Sequence, residues 1–150
     1  MNHARNAVDR FKRQTQTSLA SGRVEAWKGV LDQARDRPLA GYGFGTEERV
    51  FVDRYVGFNS GVPENSYVGL VLQLGALGLA AFVALAVVLL ARLRNVRLLD
   101  SSQRHLAAGL AGAFTAGLVL AFFQSYVYAA GNNATAVLWI CAFLLAAVLP

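Results

Sequence analysis

The second half of this 150-residue chain almost lacks charged residues. Residues 66–91 form 26 consecutive positions without one, and residues 106–150 form 45 more. An apolar run of about 18 residues or more is typical of a transmembrane helix, although one such run could also be the core helix of a soluble protein. Three apolar helices in so short a chain leave no polar element to cover them, so the composition excludes an ordinary soluble domain.

Cysteine is scarce as well, and the positive charge does not form a basic stripe. Cys141 is the single cysteine, so the chain cannot form an internal disulfide. Residues 1–65 contain ten basic and eight acidic residues, a net charge of +2, and the other +3 comes from four arginines and Asp100 in residues 92–105. Because basic and acidic residues are mixed, we expect no nucleic-acid partner.

The apolar runs predict an all-α membrane protein. Three transmembrane helices are expected at about 66–91, 106–128 and 134–149, and they follow a polar, extracytoplasmic loop segment, residues 1–65. Residues 23–36 of this segment are predicted to form an amphipathic helix, because apolar residues recur at spacings of three and four. The predicted apolar face consists of Val24, Trp27, Val30, Leu31 and Ala34.

The arginine-rich segment, residues 92–104, predicts the orientation. Short loops rich in arginine remain in the cytoplasm, which places residues 1–65 on the outside. A polar segment of 65 residues with no membrane helix before it has no simple route across a bilayer. We therefore expect the chain to be the C-terminal part of a larger membrane protein.

Two features near the predicted first membrane helix could have a role beyond structure. Gly41, Gly43 and Gly45 leave backbone N–H groups that could surround an anion, but a plain turn is the simpler interpretation, since the pattern is neither a P-loop nor a dinucleotide fingerprint. Glu47 and Glu48 are expected to be solvated charges. Gly69, Gly75 and Gly78 are expected to give the helix a smooth packing face.

The residues before this helix suggest a helix cap and a candidate functional group. Asn65 or Ser66 would cap the helix, and capping alone explains both residues. Glu64 would lie at the positive end of the helix, at the boundary between membrane and water. Its location opposite an arginine-containing segment makes it a candidate for chemistry.

Four short motifs follow one another in the chain. They are Ser21-Gly22-Arg23 with Trp27, then Pro38-Leu39-Ala40-Gly41-Tyr42-Gly43-Phe44-Gly45, then Glu64-Asn65-Ser66-Tyr67, and then Leu74-Gly75 with Gly78-Leu79. In this order and spacing, with a membrane helix after the last, the series resembles the O-antigen ligase and O-antigen polymerase family. The resemblance covers about residues 21–80, and the later helices fit the C-terminal end of the family.

The resemblance implies a multi-pass protein of the bacterial inner membrane with a large periplasmic loop. Such proteins act in the biosynthesis of cell-surface polysaccharides. They transfer a glycan from an undecaprenyl-pyrophosphate carrier to a sugar hydroxyl, with no metal, cofactor or nucleotide sugar. The implied partners are therefore the carrier-linked glycan, a sugar acceptor and membrane lipid.

The resemblance also suggests roles for individual residues. Arg23 matches the family's motif arginine and is expected to bind the pyrophosphate, because a guanidinium pairs bidentately with phosphate and stays charged. Arg49 and Arg54 are candidate helpers by location, with solvated surface charge as the alternative. Asn65 is a candidate substrate-binding residue. Glu64 is the candidate catalytic base at a position where many family members carry histidine, and a glutamate, with an unperturbed pKa of about 4.3, is the weaker base unless it is desolvated.

A second function remains open at the level of sequence. The chain could be a small, non-catalytic integral membrane protein that binds partner helices through its glycine faces. Further in-frame hydrophobic segments upstream of Met1 in the genome would favour the enzyme.

Overall fold

The computed structural model describes residues 19–52 and 62–150, and within these ranges the regular structure is entirely helical. This confirms the predicted all-α class. The helices are α1 (Leu19–Ala34), α2 (Glu47–Val52), α3 (Ser66–Arg92), a 3-10 segment (Leu93–Leu98), α4 (Ser101–Leu120) and α5 (Asn133–Val148).

The longest helix, α3, is also the clearest candidate for a membrane span. With its 3-10 extension it is the one helix, among the described residues, that is long and apolar enough to cross a bilayer. An unbroken helix of its 27 residues would be about 40 Å long, against a hydrocarbon core of about 30 Å, but α3 is interrupted at Gly75. α5 is apolar but shorter. Of the three predicted spans, length and composition therefore support one clearly, with α5 as a shorter apolar helix.

Helices α3, α4 and α5 lie side by side in alternating directions. The turn after α4 lies at the start of α3, where the Ser66 amide donates to the Ala121 carbonyl at 2.8 Å. The end of α5 lies at the end of α3, where the Arg92 guanidinium donates to the carbonyls of Leu149 and Pro150 at 2.9 and 3.1 Å. Each helix therefore lies antiparallel to the one before it.

Helix α4 has other bounds than the second membrane helix, which was predicted at 106–128. It begins at Ser101, after an N-cap at Asp100, and it ends at Leu120. The residues that follow leave the helix because the buried Ser66 hydroxyl binds them. It donates to the Gln124 carbonyl at 2.7 Å and accepts from the Tyr126 amide at 3.0 Å.

The core of the described residues has a large cluster among α3, α4 and α5, a smaller one where α1 packs on α3, and another between α4 and the end of α5. Phe114, Tyr126, Leu138 and Cys141 lie in the large cluster. The small cluster consists of Ala26, Val30 and Leu72. The buried face of α1 is therefore narrower than predicted, and Val24 and Leu31 are exposed.

Candidate functional site

Arg23 and Glu64 form an ion pair just before α3 begins. The guanidinium Nε and Nη2 lie 2.8 and 2.7 Å from Glu64 Oε2, and each side chain keeps about a third of its surface exposed (33% and 35%). The two residues are 41 positions apart in the chain, and α1 brings the arginine to the carboxylate. The structure thus brings together the predicted pyrophosphate-binding residue and the predicted base.

The turn that presents Glu64 is held by α1. Trp27 lies one helical turn after Arg23, so both side chains leave the same face of α1. The Trp27 indole N–H donates to the Pro63 carbonyl at 2.8 Å. Glu64 has a φ of +50°, an uncommon left-handed conformation for a residue other than glycine. Conformations of this kind persist where the surroundings fix them, and often at functional sites. The sequence alone predicts only a packing role for Trp27.

Asn65 is the N-cap of α3. Its side-chain oxygen accepts from the amides of Tyr67 and Val68 at 3.0 and 3.1 Å, and the residue is buried. This is the capping role that the sequence offered as the alternative to substrate binding.

The other two candidate arginines do not extend the site that the structure describes. Arg49 lies in the last turn of α2 with an exposed side chain. Arg54 lies outside the described residues. Among those residues, the ion pair of Glu64 is with Arg23.

The glycine-rich segment 38–43 fills a break in α3. Gly75 has non-helical angles (φ 65°, ψ −164°), and the backbone groups freed around it bind this segment. The carbonyls of Leu72 and Gln73 accept from the amides of Tyr42 and Gly43 at 2.9 and 2.8 Å. Across the break, the amides of Ala76 and Leu77 donate to the carbonyls of Pro38 and Leu39 at 2.8 and 3.2 Å.

Gly41 and Gly75 make this contact sterically feasible. A Cβ at Gly41 would overlap the backbone of Gln73 and Leu74, and a Cβ at Gly75 would overlap the backbone of Leu39. Both glycines also have positive φ. The plain turn and the smooth packing face expected from the sequence were therefore wrong for these two residues, which form one contact between backbones.

Glu47 is buried, and the expectation of a solvated charge was wrong for it. It exposes 6% of its surface. Its carboxylate accepts a hydrogen bond from the Tyr128 hydroxyl at 2.8 Å and another from the side-chain amide of Gln73 at 3.2 Å. Gln73 is oriented in turn by the Gly45 amide, which donates to its side-chain oxygen at 2.7 Å. The sequence around residues 47–52 does not indicate this burial, because the hydrogen-bond partners of Glu47 come from α3 and from the turn after α4.

These groups line a cavity of about 250 Å3. Its wall is part polar and part apolar, and it includes Phe44, Val62 and Ser125 beside the carboxylate. Burial, and secondarily the Glu47 charge, raises the pKa of the Tyr128 phenol, which therefore stays protonated and donates to Glu47. Within residues 19–52 and 62–150, no three His, Cys, Asp or Glu side chains lie close enough together to bind a metal ion.

The described residues thus define an all-α protein with a partly exposed arginine–carboxylate pair where its long apolar helix begins. The family comparison is more specific. The sequence model of the O-antigen ligase family matches residues 1–83, more than half of the chain. The chain therefore belongs to the O-antigen ligase family, whose members are integral membrane proteins. Neither curated proteins nor solved structures gave a match.

Proposed function

We propose that this chain acts in a membrane glycosyltransferase that ligates or polymerises a glycan. The donor is a glycan on an undecaprenyl-pyrophosphate carrier, and the acceptor is a sugar hydroxyl. Membership of the O-antigen ligase family supports the reaction class. The observation that carries the proposal is the contact between Arg23 and Glu64. This contact joins a guanidinium, a group suited to bind phosphate, to a carboxylate, a group suited to accept a proton.

The proposed step needs both groups. The acceptor oxygen attacks the anomeric carbon of the glycan, and the bond from that carbon to the phosphate oxygen breaks. The electron pair leaves with the diphosphate, and the acceptor proton passes to the Glu64 carboxylate. Arg23 stabilises the charge that develops on the leaving phosphate.

The geometry of the pair allows Arg23 to serve both partners. A guanidinium has five N–H donors, and Glu64 Oε2 takes one on Nε and one on Nη2. Three donors thus remain for phosphate oxygens while the carboxylate stays in place. Partial exposure of both side chains leaves a charged ligand a path to them.

We also propose that α3, α4 and α5 all cross the bacterial inner membrane, with residues 1–65 outside. Their antiparallel arrangement supports this proposal, since helices that share a layer end at the same two surfaces. The Arg23–Glu64 pair lies at the start of α3 and the arginine-rich segment at its end, so a spanning α3 separates them. The positive-inside rule then places the pair outside.

The test is complementation of a deletion strain by the protein expressed from its own gene. Arg23→Ala and Glu64→Ala should abolish the polysaccharide on a gel while the membrane level of the protein is unchanged. Arg35→Ala is the matched control. Arg35 directly follows α1, the helix that carries Arg23, and it forms an exposed ion pair with Asp32. Normal polysaccharide in the Arg23 or Glu64 variant would refute the assigned roles and favour the non-catalytic alternative.

A further inference from the structure

We propose that the cavity beside Glu47 binds one neutral sugar ring of the acceptor. This inference rests on the proposed function, since it assigns the acceptor a position next to the Arg23–Glu64 pair. It concerns residues that neither the motif resemblance nor the ion pair assigns to a task. The argument depends on the size of the cavity, its chemistry and its location.

The size of the cavity suits a single ring. A cavity of roughly 150 Å3 holds benzene, whereas pockets for drug-sized ligands begin at about 300 Å3. At about 250 Å3, this cavity has room for one six-membered ring with its hydroxyl groups.

The wall of the cavity has the groups that a sugar requires. The Phe44 side chain is 66% exposed although it lines the cavity, and the face of a pyranose ring that carries C–H groups packs against such an aromatic ring. Glu47, Gln73, Ser125 and Tyr128 supply carboxylate, amide and hydroxyl groups for the sugar hydroxyls.

These polar groups are fixed before a ligand arrives. Tyr128 and Gln73 hold the Glu47 carboxylate, the Gly45 amide holds Gln73, and the Asn65 amide donates to the Ser125 hydroxyl at 3.1 Å. Such preorganisation lowers the entropy cost of binding. A buried carboxylate also repels an acidic sugar, so the cavity favours a neutral one.

The location joins the cavity to the ion pair. Val62 lines the cavity, and Glu64 is two residues further along the chain, so their Cα atoms are at most about 7 Å apart. Ser125, which also lines the cavity, contacts Asn65 on the other side of Glu64. The cavity therefore lies next to the turn that carries Glu64.

The test is binding of glucose, galactose, mannose, rhamnose and N-acetylglucosamine by saturation-transfer NMR. The protein is expressed from its own gene and purified in a detergent without a sugar headgroup, with glycerol and glucuronic acid as comparison probes. At least one neutral sugar should bind, and glycerol and glucuronic acid should bind at least tenfold more weakly. Absence of binding by every neutral sugar, or equal binding of glucuronic acid, would overturn the proposal.

Variants locate the binding. Phe44→Leu and Glu47→Gln should weaken the neutral sugar at least tenfold, whereas Phe44→Tyr should retain it because the ring face remains. Leu39→Ala is the matched control, since Leu39 is an exposed apolar residue of the same loop that does not line the cavity. Unchanged binding in Phe44→Leu would overturn the proposal even where Glu47→Gln fails to fold.

Arg23→Ala separates this inference from the proposed function. It should abolish glycan transfer and leave sugar binding intact. Sugar binding that disappears in Arg23→Ala would place the sugar at the ion pair and overturn the cavity assignment. If Arg23→Ala still transfers glycan while sugar binding depends on Phe44, the proposed role of Arg23 is refuted. The assignment of the sugar to the cavity then stands.

Discussion

At the scale of single residues, the contact between Arg23 and Glu64 can be examined for stability and for chemistry separately. Ion pairs as exposed as this one contribute about 0–1 kcal/mol to folding. A charge-stabilising contact made in a transition state is worth roughly 10²–10³ in rate. The two effects differ enough to be measured apart.

Arg23→Gln is therefore expected to lower the free energy of unfolding by about 1 kcal/mol or less and glycan transfer by about 10²-fold or more. Unfolding is measured in detergent and transfer with lipid-linked glycan. Arg35→Gln should leave both unchanged, because Arg35 has only an exposed local partner. A parallel loss of stability and transfer in Arg23→Gln would instead assign the pair a structural role.

Tyr128 gives a prediction about alkaline pH. Its pKa in the folded protein lies far above the unfolded value of 10.0, chiefly because it is buried. The neutral phenol therefore stabilises the folded state fully below pH 10. Above pH 10 the unfolded chain loses a proton that the folded chain keeps, so stability falls with rising pH by up to about 1.4 kcal/mol per pH unit.

The measurement is the free energy of unfolding between pH 8 and pH 11 for the wild type and for Tyr128→Phe. The variant should be less stable at pH 8, by about 1–3 kcal/mol, since buried Glu47 loses a donor. Its stability should then fall less steeply above pH 10. Identical slopes in the two proteins would mean that Tyr128 titrates normally in the folded state.

At the scale of elements, the break in α3 depends on two glycines from different parts of the chain. Gly41→Ala or Gly75→Ala should destabilise the protein by about 2–6 kcal/mol, from roughly 1–3 for backbone conformation and 1–3 for overpacking. The thermal midpoint in detergent measures this effect.

Gly109→Ala in α4 is the control for the two glycine variants. A Cβ there meets nothing within 4 Å, so alanine should be neutral or stabilising by up to about 1 kcal/mol. An equally small effect of Gly75→Ala would mean that α3 can run unbroken and that segment 38–43 can leave it.

This break also shows what the sequence could and could not predict. Asn65 or Ser66 was predicted to cap α3, because capping is a local property of the residue type and its neighbours, and the structure assigns the cap to Asn65. Nothing local around Gly75 marks a break, since the apolar run continues on both sides. The break requires hydrogen bonds from residues 30 to 38 positions away, and no helical periodicity encodes such partners.

The candidate site divides in the same way. Arg23 and Glu64 were predicted from motifs, yet their contact depends on how α1 packs against α3. The burial of Glu47 was missed because a glutamate among polar residues is usually solvated, and its partners Gln73 and Tyr128 lie 26 and 81 positions away in the chain. The end of α4 at Leu120 was missed because Ser66 binds the residues that follow it.

At the scale of the whole molecule, the proposed topology predicts which positions an impermeant thiol reagent can reach. Cys141 is buried in the core, so the wild type should remain unlabelled and serves as the background for added cysteines. Lys28 lies on α1, Asn132 in the turn before α5, and Asn95 in the 3-10 segment, and all three are exposed.

Lys28→Cys and Asn132→Cys should be labelled in spheroplasts with an intact inner membrane, because both positions lie at the end of the helices where α3 begins. Asn95→Cys should be labelled only after that membrane is permeabilised, because it lies in the arginine-rich segment. Labelling of Asn95→Cys in intact spheroplasts would invert the orientation and place the Arg23–Glu64 pair in the cytoplasm. If Lys28→Cys is labelled from outside and Asn132→Cys is not, α3 crosses the membrane but α4 does not return across it. That result would refute the proposal that all three antiparallel helices span the bilayer.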